Sequence, residues 1–426
     1  MNKTKRKYLS LLLSFAVGFT MIFGSAGFAQ AASYDKTKAI FEKCGDYIYT
    51  TVKEPTVGTL GGEWVMYGLS HAGYAMSDSY RDTYLANVEK ELKEKDGILH
   101  AKAFTQYSRV IIGVTSAGAD ATNIAGYNIV EPLADFVNVK WLGMNSVMWA
   151  LIALDSGNYE MPQLTESYRY GTLTPKETDR QNSRQRMVDY LLANQYDDGG
   201  WNILTKAEEK SGYNAVSSVD MTAMGMIALA PYSKQAKVKK ALDRAISYLS
   251  KQQNQTGGFT FWGTDNSESC AQAICGLLAC GVNPNTDKRF VKNGKSVLDK
   301  LLTYQLSDGS FCHEDSYDAY ATMQALCALS AAVRQQAGKR AFFTMTDAAK
   351  QTHAPQSGVA AHTAQVEALP AFSDISGHAN EQAIKALAAY GIINGMTKTT
   401  YAPDALSAEK MISEVGLADH LNNFPS

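Results

Sequence analysis

Gln195-Tyr196-Asp197-Asp198-Gly199-Gly200-Trp201 decides the fold, because its pattern of Gln, three residues, Gly, one residue and an aromatic returns at Gln253-Gly257-Phe259 and at Gln305-Gly309-Phe311. The starts lie 58 and 52 residues apart. That spacing suits a helix-pair repeat, a unit that buries a core only by stacking on its neighbours. Each glycine can take the positive φ that ends a helix, the aromatic can pack over the turn, and the Gln amide can bond loop backbone groups. The motif reads as scaffold rather than chemistry.

Before the second copy, Val238, Ala241, Leu242, Ala245, Ile246 and Leu249 fall on one helical stripe, with Lys239, Lys240, Asp243 and Lys251 between or just beyond them. Met187, Tyr190 and Leu191, and then Val297, Leu301 and Tyr304, show similar spacing. The segments after each aromatic, 219–230, 269–281 and 319–329, are instead apolar on nearly every side, as helices buried all round are. Three more segments of this kind precede them, at 63–72, 104–114 and 140–154. Lys93-x3-Gly97 looks like a worn copy of the motif 102 residues before Gln195, and the repeat between lacks it. The expected fold is all-α, an α/α toroid of six inner and six outer helices whose first pairs are irregular.

Lys3, Lys5, Arg6 and Lys7, an apolar run over 8–23 and Ala29-Gln30-Ala31 read as a secretory signal peptide over 1–31, with an apolar core short for a membrane span. Losing those four cations takes the formal charge from −2 to −6, which argues against nucleic acid as a partner. Cys270, Cys275, Cys280, Cys312 and Cys327 lie in or beside apolar helical runs, so they read as small buried residues rather than a disulfide framework. Cys270, Cys275 and Cys280 are spaced so that successive ones point about 140° apart around a helix, and they form no single metal-binding face.

Gln195-x3-Gly199-x-Trp201 resembles the QW repeat of squalene and hopene cyclases, over about 36–345. The resemblance implies the toroid shared with protein prenyltransferases and with cobalamin carriers of the transcobalamin and intrinsic factor type. Asn266-Ser267-Glu268-Ser269-Cys270-Ala271-Gln272 and the stretch from Trp149 to Tyr159 are similar to secreted bacterial proteins with prenyltransferase or squalene oxidase repeats.

Class II cyclases protonate an alkene with an Asp-x-Asp-Asp acid, and Ser218-Val219-Asp220-Met221-Thr222-Ala223 stands where that motif is implied. Asp220 matches the proton-donating Asp, but both flanking carboxylates are absent. A lone carboxylate there also reads as a helix cap or a first-turn charge facing the dipole. In prenyltransferases zinc is held by Asp, Cys and His. Glu268-Ser269-Cys270 resembles the Asp-x-Cys half, but Ala321 stands where the histidine is implied, and His313 lies upstream, too far along the chain for a simple substitution. No metal and no cofactor are assigned. No serine-nucleophile turn and no glycine-rich phosphate loop is present.

Glu63, Asp220, Glu268 and Asp318 all stand near the starts of inner helices, whose N-termini gather at one rim of a toroid. They balance the helix dipoles, or they form a polar mouth floored by Trp64, Tyr107, Trp141, Trp149 and Tyr320 that holds a small molecule.

The stretch 346–370 loses periodicity and reads as a linker. Beyond it, over 371–426, Phe372-Ser373-Asp374-Ile375-Ser376-Gly377-His378, Gly391-Ile392-Ile393-Asn394-Gly395 and Tyr401-x-Pro403 resemble one S-layer homology repeat, a binder of Gram-positive cell-wall polymers. Asp374, His378 and Asn394 are the candidate wall contacts. The copy departs from the family pattern at Ala379 and at Ser407-Ala408-Glu409-Lys410, where the family arginine that would pair an anionic glycan is missing.

The leading expectation is a secreted, wall-associated, monomeric protein whose toroid holds a small hydrophobic or amphipathic ligand, corrinoid-like or isoprenoid-like. The carriers sandwich a corrinoid with a second domain that this sequence does not display. The alternatives are a terpenoid cyclase or prenyl-processing enzyme using Asp220, and a purely structural surface protein with a filled toroid.

Overall fold

The computed structural model describes residues 36–164, 179–209, 216–261 and 263–348. The stretch read as a signal peptide, most of the stretch read as a linker, and the S-layer-like repeat, with Asp374, His378 and Asn394, lie outside them.

Helix α1 covers 36–51. A π-helical turn, Leu60–Trp64, runs into α2, Val65–Ser70, followed by α3, Asp78–Glu94, and α4, Phe104–Ser116. The one-turn α5, Phe136–Val139, sits between 3-10 turns at Glu131–Ala134 and Lys140–Leu142. Then come α6, Met144–Ser156, α7, Arg184–Ala193, α8, Lys206–Glu209, α9, Val219–Leu229, and α10, Ala236–Gln252. The remaining helices are α11, Ser267–Ala279, α12, Val297–Leu302, and α13, Ala319–Gln336. Two small antiparallel hairpins, Thr260–Phe261 with Thr264–Asp265 and Val291–Lys292 with Lys295–Ser296, lead into α11 and α12.

Helices α2, α4, α6, α9, α11 and α13 each pack on the next, and α13 returns to α2, so the inner ring closes. Around it lie α1, α3, α5, α7, α10 and α12. Every residue of α9 is buried, whereas α10 buries the single stripe read from its spacing. The toroid is present, and its irregular part is the third pair, where the linking motif is missing and the outer element shrinks to α5. One expected element differs: 140–154 is not one helix. The chain breaks at Gly143, φ +82, where an added Cβ would meet the Ile203 carbonyl at 2.9 Å, so α6 starts at Met144 and Trp141 falls outside it.

The motif works between repeats. The Gln195 amide donates to its own Gly199 carbonyl and to the Ala241 carbonyl on α10, both at 2.8 Å, and Gln253 donates to Gly257 at 2.8 Å and Phe290 at 2.9 Å. Trp201, Phe259 and Phe311 are fully buried. The Trp201 indole also donates to the Leu191 carbonyl at 2.8 Å, tying the turn to α7. The six cysteines, all among the described residues, are unpaired, and all but the half-buried Cys280 are buried.

Candidate functional site

Ser218, Asn266 and Asp318 hold one equivalent position. Each accepts from the backbone N–H three residues on, at Met221, Ser269 and Ala321, and so caps its inner helix. The cap of α9 is therefore Ser218, and Asp220 is a buried first-turn carboxylate. Two residues past each cap come Asp220, Glu268 and Tyr320, so Asp318 is not the third member of the Asp220 and Glu268 set. All three carboxylates stand at the starts of inner helices, as their sequence positions imply, but Asp318 is a cap while Asp220 and Glu268 are first-turn residues two places further on.

Four residues past each cap, Thr222 and Thr322 accept from the N–H of Trp201 and Phe311, both at 3.0 Å. Cys270 takes this role in the middle repeat, where its thiol faces the Phe259 N–H and burial pushes its pKa up to about 12. Such a thiol is a packing group rather than a ready thiolate. His313, read as too distant along the chain, folds back onto Glu268, its Nδ1 lying 2.8 and 2.9 Å from the two carboxylate oxygens. Ser267 Oγ donates to the same carboxylate at 3.1 Å, and the carboxylate raises the His313 pKa. Among the described residues, no group of three or more His, Cys, Asp and Glu side chains is placed to hold a metal ion.

Glu63, in the π-helical turn, is fully buried, and its Oε1 accepts from the Gly58 N–H at 2.8 Å. Burial pushes its carboxyl up to about 7, against the pull of Arg109 and the Gly58 amide. Arg109 lies within α4, and no motif in the sequence marks it. Its Nε is buried without a hydrogen-bond partner among the described residues, and its charge also reaches Tyr67 and Tyr320.

The five aromatic residues expected to floor one mouth are dispersed. Trp64 and Trp149 meet edge to face at 5.9 Å and line an axial void of about 20 Å³. Fully buried Tyr107 packs on Phe104 at 5.5 Å, Trp141 lies under the Lys102 ammonium at 5.0 Å, and Tyr320 is half-buried beyond the Asp318 cap. Such a void has room for about one water molecule.

A larger cavity, about 370 Å³, lies at the opposite rim, over the C-terminal ends of α6, α9, α11 and α13. Ile152, Ile227, Ala228, Leu278 and Ala331 form its walls, and Phe342 and Phe343 its cover. The cover belongs to a strap after α13 that runs to Ala348, into the stretch read as linker. Phe343 packs on Tyr67 at 5.8 Å and Trp149 at 6.2 Å, and so stands between the cavity and the axial void. Asp347 fastens the strap, accepting from His71 Nε2 at 2.9 Å and from Arg334 at 2.7 Å. The Met345 N–H bonds the Ser156 carbonyl at 2.8 Å. No sequence signal marked this end, because Phe342-Phe343 lies outside the repeat.

Residues 171–368 match the squalene-hopene cyclase C-terminal domain, and residues 371–406 match the S-layer homology domain. The toroid thus resembles the cyclases over 171–368, and an S-layer homology match follows it in the sequence. That second domain implies association with the bacterial cell surface. No curated protein matches the chain. Among solved structures, the ent-copalyl diphosphate synthase of Streptomyces platensis aligns at 17% identity and a TM-score of 0.40, over 64% of this chain and 49% of that one, so the match spans about half of that enzyme. A type II terpene cyclase from Scytonema aligns at 13% identity and 0.44, over 71% and 98%, and an unsaturated glucuronyl hydrolase from Bacillus sp. GL1 at 12% and 0.47, over 73% and 99%. Identities and scores this low say nothing about the chemistry of the cyclase-like toroid.

Proposed function

We propose that the protein is exported, is held at the cell surface through its S-layer homology domain, and binds a small hydrophobic or amphipathic molecule in the toroid. The observation that carries this reading is the cavity of about 370 Å³, apolar-walled with a few polar groups at its edge, a size and lining typical of small-molecule sites. Export is supported by the basic, apolar and small-residue order of 1–31, and wall binding by the match over 371–406. The site is moved from the rim that the sequence favoured to the opposite one.

Ligand binding is tested by thermal shift of the purified protein with polyprenyl alcohols, fatty alcohols and corrinoids, beside Ala228→Phe and Ala331→Phe, which fill the cavity. A concentration-dependent rise in melting temperature with at least one class, abolished in both variants, is expected. No shift with any class, or a shift unchanged by filling, would overturn the reading and favour a structural toroid. The match over 171–368 favours a second reading, a cyclase using Asp220. It requires a cyclic product from squalene or a polyprenyl substrate, lost in Asp220→Asn.

A further inference from the structure

The polar edge of this cavity is unevenly charged. Its carboxylate, Asp155, commits one oxygen to Arg184 Nε at 2.7 Å and the other to the Tyr232 hydroxyl at 2.8 Å. Lys339 and Arg340 at the same edge are exposed, and neither forms an ion pair among the described residues; the Arg340 guanidinium reaches only the Thr346 hydroxyl, at 2.7 Å. The helix ends below would oppose an anion, but several of their terminal carbonyls are already taken. Leu154 accepts from the Tyr159 N–H and Arg184, Leu277 from the Val282 N–H, and Arg334 from the Lys339 N–H. The uncommitted charge at the mouth is thus positive, while the walls are hydrocarbon.

The volume sets the other limit. About 370 Å³ corresponds to roughly a dozen water-sized volumes, room for one alkyl chain of medium length and too little for a two-chain lipid.

We infer that the ligand is a single-chain anionic amphiphile taken up as a free monomer, its alkyl chain against Ile152, Ile227 and Phe343 and its anionic head on Lys339 and Arg340. This rests on the cavity reading above and adds the charge and the chain number. The head groups of the cations stay in water while their stems line the edge, so the preference is modest and sensitive to salt.

The test measures binding of decanoate and decyltrimethylammonium, each below its micelle concentration, and of decanol, below its solubility limit, to the full secreted protein by calorimetry. Decanoate is expected to bind about fivefold tighter than decanol, with decyltrimethylammonium weakest. The double variant Lys339→Ala, Arg340→Ala should bind decanoate and decanol alike, and Lys339→Glu should move the preference towards the cation. Equal binding of all three probes by the unaltered protein would overturn the anionic assignment while leaving the cavity reading intact. Binding to phosphatidylglycerol vesicles without binding to decanoate monomers would overturn it in favour of a membrane surface. No binding of any probe would overturn the cavity reading and this inference together.

Discussion

The side-chain amide of Gln305 donates to the carbonyl of Ile40 at 3.4 Å, joining residues 265 positions apart. Gln195 and Gln253 make the same bond to the next outer helix or its approach, at Ala241 and Phe290, so the third repeat treats α1 as its successor. The glycines agree. A Cβ on Gly199 would meet the Arg244 carbonyl, on Gly257 the Ser296 carbonyl, and on Gly309 the Lys43 carbonyl at 2.4 Å. A motif that links neighbours in an open solenoid here closes a ring.

Gln253→Ala should therefore destabilise the toroid by about 1–3 kcal/mol, because the buried carbonyls of Gly257 and Phe290 lose a donor. Gln305→Ala, whose two bonds are both 3.4 Å and part-buried, should cost less. Gly309→Ala should cost more than either, since φ is +103 and the neighbouring atom is backbone. Urea unfolding of the three variants gives the order.

Asp318 serves as a cap, so Asp318→Asn should leave stability within a few tenths of a kcal/mol, asparagine being as good a cap, while Asp318→Ala and Ser218→Ala should each cost about 1 kcal/mol. A large loss in Asp318→Asn would mean that its charge, rather than its acceptor oxygen, matters.

Glu63 has a folded pKa of about 7, above the ordinary glutamate value of about 4.3. The folded state then holds a proton that the unfolded chain releases, so stability falls as pH rises between those values. Glu63→Gln keeps an acceptor for the Gly58 N–H and removes the penalty. Its stability should match that of the unaltered protein near pH 4 and exceed it by pH 8, by an amount on the order of 4 kcal/mol, with a matching rise in melting temperature. A constant difference across that range would contradict the assignment.

At Asp347 burial alone would raise the carboxyl, but hydrogen bonds from His71 and Arg334 outweigh it and hold the pKa at about 2. This depressed carboxylate contributes stability above its unfolded value of about 3.9 and loses it as pH falls towards about 2. Acid, or Asp347→Ala at neutral pH, should free the strap. Faster proteolysis after Arg340 and a change in tryptophan emission, as Phe343 leaves Trp149, are the expected readouts.

Much of the fold was legible because its signals are local. The stripe of α10 and the all-round burial of α9 follow from spacing alone, and the positive-φ glycines from the turn each must make. The candidate site was less legible. Asp220 and Asp318 look alike in a string of letters, yet one is a first-turn carboxylate and the other a cap. His313 reaches Glu268 only because the loop before α13 turns back over the start of α11.

By itself, then, the sequence determined the helix pairs, their inner and outer roles and the turns between them, since periodicity and turn chemistry act over a few residues. Tertiary structure alone decided that α1 completes the ring, that Trp64, Trp149 and Phe343 fill its axis, and that the larger cavity opens under the strap at the other end. Those outcomes depend on how six inner helices share one central volume, and close packing of side chains from distant segments is encoded in no single stretch of chain.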